Sequence, residues 1–75
     1  MKLPIVSGDE IVKALNKIGF ILTRQSGSHM ILCKKLEQKM TVVVPKHKEL
    51  AKGTLLSIIS QSGLGREEFL KLLKK

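Results

Sequence analysis

The chain has 75 residues, of which 43% are hydrophobic, and its 14 Lys and Arg against 6 Asp and Glu give a formal net charge of +8. This length predicts a single domain, residues 1–75, that buries only roughly 60% of its unfolded surface, so any active site should be shallow and exposed. The hydrophobic fraction argues against a disordered basic tail, and no apolar run approaches the roughly 20 residues of a membrane-spanning helix.

The positive charge is concentrated between residues 13 and 52, where only Glu37 and Glu49 oppose it. Nucleic acid, an anionic membrane or an acidic protein could each be the partner of such a surface. A surface that is charged only for solubility is the alternative. The single cysteine, Cys33, and the absence of a signal-peptide pattern at the start predict a cytoplasmic protein.

The first predicted element is a helix that opens at Ser7-Gly8-Asp9-Glu10. Ser7 and Glu10 have the spacing of a capping box, in which each side chain binds the other residue's backbone N–H. Gly19 is expected to end the helix, since glycine readily adopts the left-handed conformation. One apolar stripe follows from the helical spacing of Ile11, Val12, Leu15 and Ile18.

Three strands are predicted next, over residues 20–25, 29–34 and 40–44, because these segments are rich in residues that suit a pleated surface. Ser26-Gly27-Ser28 is typical of a hairpin turn, 35–39 is a polar connection, and Pro45 should end the third strand because proline has no N–H. Side chains alternate between the two faces of a strand, so the second strand has His29, Ile31 and Cys33 on one face and Met30, Leu32 and Lys34 on the other. This pattern does not decide which face meets the core. Cys33 is expected to be a small buried hydrophobe.

The remainder of the chain predicts a lysine-rich loop over 45–52, a helix over 54–62 that ends at Gly63, and a short last helix. The dipole of that last helix favours acidic residues near its start and basic residues near its end. The sequence has Glu67 and Glu68 early and Lys71, Lys74 and Lys75 late. The order of elements predicts an α+β sandwich in which helices cover one face of a three-stranded antiparallel sheet and leave the other face free.

His29 is the candidate catalytic residue, because it directly follows the hairpin turn and histidine is the residue type that gives or takes a proton near neutral pH. The sequence offers no metal site, since His29 and His47 are the only histidines, Cys33 stands alone and no carboxylate cluster adjoins them. It has no phosphate-binding glycine loop, and nothing places Asp9 behind the histidine as in a catalytic triad. No cofactor is therefore expected.

Metal-free RNA cleavage is the chemistry that remains, since the 2′-hydroxyl of RNA can be the nucleophile. His29 would act as base or acid, Ser28 would bind a phosphate, and Arg24, Lys46, His47, Lys48 and Lys52 would bind RNA. A turn residue that only hydrogen-bonds the hairpin is the structural alternative for His29, and a solvated loop is the alternative for the lysines. His47 is the weaker candidate for proton transfer, since a mobile loop positions side chains poorly, although a supporting role is possible.

The chain resembles the HicA toxin family, also called YcfA-like. The resemblance rests on Ile18-Gly19-Phe20, Arg24-Gln25-Ser26-Gly27-Ser28-His29, Val44-Pro45-Lys46-His47, Gly53-Thr54-Leu55-Leu56-Ser57-Ile58-Ile59 and Ser62-Gly63-Leu64, in this order and spacing. It implies an α-β-β-β-α fold like that of a double-stranded-RNA-binding domain, followed here by the short last helix. It also implies ribosome-independent mRNA cleavage with His29 as the catalytic residue, and a HicB-like antitoxin protein that covers the active surface.

Three hypotheses follow. The first is the toxin of a type II toxin–antitoxin system that cleaves mRNA as a metal-independent endoribonuclease, with mRNA and the antitoxin as partners and neither a membrane nor a small-molecule cofactor. The second is a non-catalytic basic RNA-binding module, which predicts salt-sensitive binding without product. The third is a small basic protein that binds an acidic protein partner.

Overall fold

A computed structural model describes residues 3–35 and 39–73 of the chain. It confirms the predicted α+β fold with a three-stranded antiparallel sheet, whose strand order is β1-β2-β3. Residues 36–38 of the predicted connection, and Lys74 and Lys75, lie outside the described residues. The elements are α1 (Gly8–Asn16), β1 (Ile21–Ser26), β2 (His29–Lys35), β3 (Lys39–Pro45), α2 (Lys52–Ser62) and α3 (Arg66–Leu73).

The two faces of the sheet differ in what covers them. Met30 and Leu32 of β2 are buried, as are Val42 and Val44, the β3 residues opposite Leu32 and Met30. Because side chains alternate along a strand, the other residues of both strands lie on the open face. The face of β2 with Met30 and Leu32 is therefore the one that meets the core, which the sequence pattern left undecided. The core is completed by residues of the helices and loops: Val6, Ile11, Leu15, Phe20, Leu50, Leu55, Ile58, Ile59 and Phe69.

The open face begins at His29, which lies opposite Pro45 on β3. Cys33 is only half-buried there, where it is within hydrogen-bonding distance of Thr23 and Thr41. The expectation that Cys33 is a buried hydrophobe was therefore wrong, because the odd-numbered positions of β2 face away from the helices. Ile21 remains 66% exposed on β1, a strand whose residues are all exposed.

The helices begin and end close to the predicted positions. Both hydrogen bonds of the capping box between Ser7 and Glu10 are present. α1 ends at Asn16, and the turn that follows closes at Gly19 with a φ of 99°. α2 begins at residue 52 rather than 54 and ends at Gly63, which has a φ of 80°. None of the helices in residues 3–35 and 39–73 combines the length and hydrophobicity needed to cross a membrane.

Pro45 ends the third strand, as predicted, although it is the last residue of β3 and not the first residue after it. Beyond it, Lys46 donates its backbone N–H to the carbonyl oxygen of Ser28. The register explains why the strand can include a proline. The backbone N–H of Val43 donates to the side chain of Gln61 on α2, so it points away from β2. Pro45, two residues later, has its nitrogen on the same outer side, where no ladder hydrogen bond is lost.

Candidate active site

His29 lies at the end of the sheet that the β1–β2 hairpin forms. It is the first residue of β2, it pairs with Ser26 on one side and Pro45 on the other, and its side chain is exposed. Gly27 has a φ of 58°, and no other residue type in the described chain has a positive φ. A positive φ at the first position of a two-residue loop is typical of a type II′ hairpin turn. The backbone of His29 is thus held by strands on both sides while its imidazole meets solvent.

Three backbone hydrogen bonds connect the segment after β3 to this hairpin, to the end of β3 and to α1. Lys46 N–H donates to Ser28 O at 2.5 Å, and His47 N–H donates to Pro45 O at 3.0 Å. Gly8 N–H, in the first turn of α1, donates to His47 O at 2.9 Å. The structure therefore brings together four of the residues predicted for the site: Ser28, His29, Lys46 and His47.

Gly8 makes this junction possible, and its role was not found from the sequence. A Cβ atom built on Gly8 would overlap the carbonyl oxygen of Pro45 and would also lie close to Lys46 Cα. Only glycine allows α1 to approach the end of β3 this closely. The one signal in the sequence is a glycine in the first turn of a helix, where most other residues would be better helix formers.

Arg24 lies on the open face of the sheet, as His29 does. The pairing of β1 with β2 shifts between Leu22 and Arg24, so that Thr23 is an extra residue, as in a β-bulge. Thr23 Oγ1 donates to the backbone oxygen of Ile31, and Arg24 pairs with Ile31. This shift keeps Arg24 on the same face as His29, two positions from Ser26 along β1.

The other two predicted lysines lie in the loop after His47 and at the start of α2. Lys48 is exposed in the loop that follows His47. Leu50 N–H then donates to Val6 O at 2.9 Å, which ties the end of the loop to the segment before α1. Lys52 opens α2 and lines a surface cavity of about 300 Å³ together with Leu3 and Leu50. Lys52 therefore lies beside the N-terminal segment.

The site is an exposed imidazole beside cationic side chains. Arg24, Lys46 and Lys48 are exposed, so their charges act on a bound anion mainly through water at ordinary salt. Asp9 and Glu10 are the acids of the first turn of α1, and Glu10 accepts the N–H of Ser7. Within residues 3–35 and 39–73, no group of three or more His, Cys, Asp or Glu is arranged to hold a metal ion.

Comparisons with known proteins place the chain in a family. The family model described as "HicA toxin of bacterial toxin-antitoxin" matches residues 8–64. The chain belongs to the HicA toxin family. Among solved structures, a chain of a toxin–antitoxin complex from Streptococcus pneumoniae superposes on this HicA toxin with a TM-score of 0.63 and 38% sequence identity. The match covers 79% of this chain and 98% of that one. A comparison with curated proteins gave no match.

The match to the HicA toxin family spans the features that form the site. Residues 8–64 include Gly8, the hairpin with His29, and the Pro45–His47 segment. They end just beyond Gly63, so α3 lies outside the match. In this HicA toxin α3 packs on α1, where Lys17 Nζ donates to the backbone oxygen of Leu72 at 3.0 Å. The resemblance noted from the sequence is thereby confirmed at the level of the family.

We predict that Gly8→Ala destabilises the protein. The added methyl group must displace the Pro45–His47 segment, and overpacking of this kind typically costs about 1–3 kcal/mol. A loss of 1 kcal/mol lowers the melting temperature of so small a domain by roughly 4–8 °C, which thermal unfolding followed by circular dichroism will measure.

Gly53→Ala is the matched control. Gly53 lies in the first turn of α2, and a Cβ atom there would meet no atom within 4 Å. Alanine is the better helix former by up to about 1 kcal/mol, so this variant should be as stable as the parent or slightly more stable. If the Gly8→Ala variant is as stable as the parent, close packing is not the reason why position 8 is a glycine.

Proposed function

We propose that this HicA-family toxin is a metal-independent endoribonuclease that cleaves mRNA, with His29 as a general acid or base. The observation that carries the proposal is the exposed imidazole of His29, whose backbone is paired on both sides, beside a cationic surface. Membership in the HicA toxin family supports it, because mRNA cleavage is the activity that this family implies. The protein is proposed to act in the cytoplasm, where its substrate is.

The proposed reaction needs little machinery, which suits a domain without a deep pocket. The 2′-hydroxyl of the RNA attacks the neighbouring phosphorus, so the nucleophile belongs to the substrate and not to the protein. The protein must move protons and stabilise the negative charge that grows on the phosphate oxygens. His29 can do the first, and Arg24 and Lys46 can do the second. Ser28, directly before His29, can hydrogen-bond a phosphate.

RNA recognition is proposed to act mainly on the phosphate backbone. Phe20 and Phe69 are the only aromatic residues apart from the histidines, and both are buried. Stacking of bases on exposed phenylalanine, tyrosine or tryptophan, as in many RNA-binding modules, is thus not available in this domain. Backbone contacts from lysine and arginine carry little sequence information, so cleavage should depend weakly on sequence.

His29→Ala is the direct test of catalysis. One positioned acid or base contributes typically 10²–10⁴-fold to a rate, so the variant should cleave single-stranded RNA more slowly by about this factor, in buffer that contains EDTA. Its melting temperature and its RNA affinity should stay close to those of the parent, because the side chain is exposed and surface substitutions usually cost little stability.

Gln25→Ala, an exposed residue of the same hairpin, is the control and should cleave like the parent. Undiminished cleavage by a nuclease-free preparation of the His29→Ala variant would refute the catalytic role. RNA binding by the parent without any product, even with protein in excess, would instead support a non-catalytic RNA-binding module. Loss of the parent's cleavage in EDTA would refute metal independence.

Lys48→Gln tests the contribution of the basic loop to RNA binding. For single strands the slope of log K against log salt is about −0.7 for each phosphate neutralised. Removing Lys48 should therefore make the slope shallower by about 0.7, which fluorescence anisotropy with labelled RNA over a series of salt concentrations will show. Lys71→Gln removes another exposed lysine, on α3, and should leave the slope unchanged. If the slopes for Lys48→Gln and the parent are equal, Lys48 is not part of the RNA-binding surface.

The protein partner is proposed to be a HicB-like antitoxin that covers the end of the sheet with His29 and the loop after β3. The similar chain in the Streptococcus pneumoniae structure comes from a toxin–antitoxin complex, which supports a partner of this kind. An acidic surface on the antitoxin would block access to His29 and neutralise the charge that attracts RNA.

A complex saturated with the antitoxin should therefore cleave RNA at least 100-fold more slowly than the toxin alone, since occlusion of His29 removes the contribution of a positioned acid or base. The assay compares the two at equal toxin concentration, with a bovine serum albumin control for nonspecific inhibition. Unchanged cleavage in the saturated complex would refute a partner at this surface.

A further inference from the structure

His47 is held in place more firmly than its position in a loop predicts. Its backbone N–H donates to Pro45 O at 3.0 Å and its carbonyl oxygen accepts the N–H of Gly8 at 2.9 Å. Lys46, directly before it, donates its N–H to Ser28 O. One argument against His47 from the sequence is that a mobile loop positions side chains poorly. Three hydrogen bonds on two successive residues, to the hairpin turn, to β3 and to α1, remove that objection.

The register places His47 beside the hairpin that carries His29. His29 lies opposite Pro45, and the hydrogen bond between Ser28 and Lys46 continues the same antiparallel register by one residue. Opposed Cα atoms are about 4.5–5.5 Å apart, and two residues span at most about 7 Å, so the Cα atoms of His29 and His47 lie within roughly 12 Å of each other. Both side chains are exposed. Two imidazoles at this separation can approach one phosphodiester group from two directions.

The proposed reaction has a place for a second proton-transfer group. While the 2′-hydroxyl loses its proton to a base, the 5′-oxygen that leaves must gain a proton from an acid. His29 alone cannot hold both roles in one step. The first turn of α1 offers Glu10, but its carboxylate accepts the N–H of Ser7. A lysine ammonium such as that of Lys46 is by residue type a much weaker acid than an imidazolium.

We propose that His47 is the second proton-transfer residue of the site, complementary to His29; this inference rests on the proposed endoribonuclease function. One imidazole removes the proton of the 2′-hydroxyl as its oxygen forms a bond to phosphorus. The bond from phosphorus to the 5′-oxygen breaks, and that oxygen keeps the electron pair and takes a proton from the other, protonated imidazole. The products are a 2′,3′-cyclic phosphate and a 5′-hydroxyl, and solvent returns both imidazoles to their starting states.

The test compares two substrates that differ in one atom. The first is a single-stranded oligoribonucleotide, and the second is the same oligonucleotide with sulfur in place of the bridging 5′-oxygen at the linkage that the parent cleaves. A thiolate leaves without needing a proton, so the second substrate does not require a general acid. The parent, His29→Ala and His47→Ala are assayed on both, and Lys48→Gln reports how a loss of phosphate binding alone behaves.

Each histidine variant should cleave the all-oxygen substrate about 10²–10⁴-fold more slowly than the parent. On the sulfur substrate, one of the two variants should recover to within about tenfold of the parent, which identifies the acid, and the other should remain slow, which identifies the base. Lys48→Gln should lose the same factor on both substrates. The backbone hydrogen bonds of His47 do not involve its side chain, so thermal unfolding of His47→Ala should match the parent.

Two results would overturn the proposal while the endoribonuclease function stands. One is cleavage of the all-oxygen substrate by His47→Ala within threefold of the parent. The other is an equal loss on both substrates for His29→Ala and for His47→Ala, since neither histidine would then be the acid and His47 would behave like the phosphate-binding Lys48. If the parent cleaves neither substrate, both this inference and the proposed function are refuted. The activity of the parent therefore distinguishes this outcome from the two results above.

Discussion

The close approach of α1 to the end of β3 is the contact on which the arrangement of the site depends. Because Gly8 has no side chain, its backbone reaches Pro45 and donates a hydrogen bond to His47. The same stretch of chain is bound to Ser28 on its other side. One junction thus joins the helix layer, the β1–β2 hairpin turn and the loop, and it does so next to the residue proposed for catalysis. A larger residue at position 8 would separate these three parts.

The division of the sheet into a covered and an open face explains how so small a protein can present a reactive group. Met30 and Leu32 contribute to the core, while His29 at the end of the same strand meets solvent. The strand that carries His29 is the central one, so its backbone is paired on both sides. Exposure of the side chain therefore does not require mobility of the backbone, and a shallow site can still be an ordered one.

Residue patterns predicted most of the elements because local chemistry determines them. The capping box of Ser7 and Glu10 and the left-handed Gly63 are decided by neighbours in sequence, and both are present. One expectation was wrong for a reason that no local pattern contains. Cys33 lies on the open face because the helices cover the other face of β2. Pro45 ends β3 as predicted, and it can pair within the strand because the register puts its nitrogen on the outer side.

The sequence by itself determined the fold class, the hairpin that carries His29 and the excess of positive charge, since these follow from periodicity, turn chemistry and composition within short stretches of chain. Only the tertiary structure decided which face of β2 is buried and which segments lie next to the hairpin that carries His29. Those outcomes depend on contacts between segments that are far apart in sequence, above all between Gly8 and the Pro45–His47 segment. Two backbone segments can pack this closely only where one of them carries no side chain. A glycine in the sequence shows where such packing can occur, but not which segment will pack there.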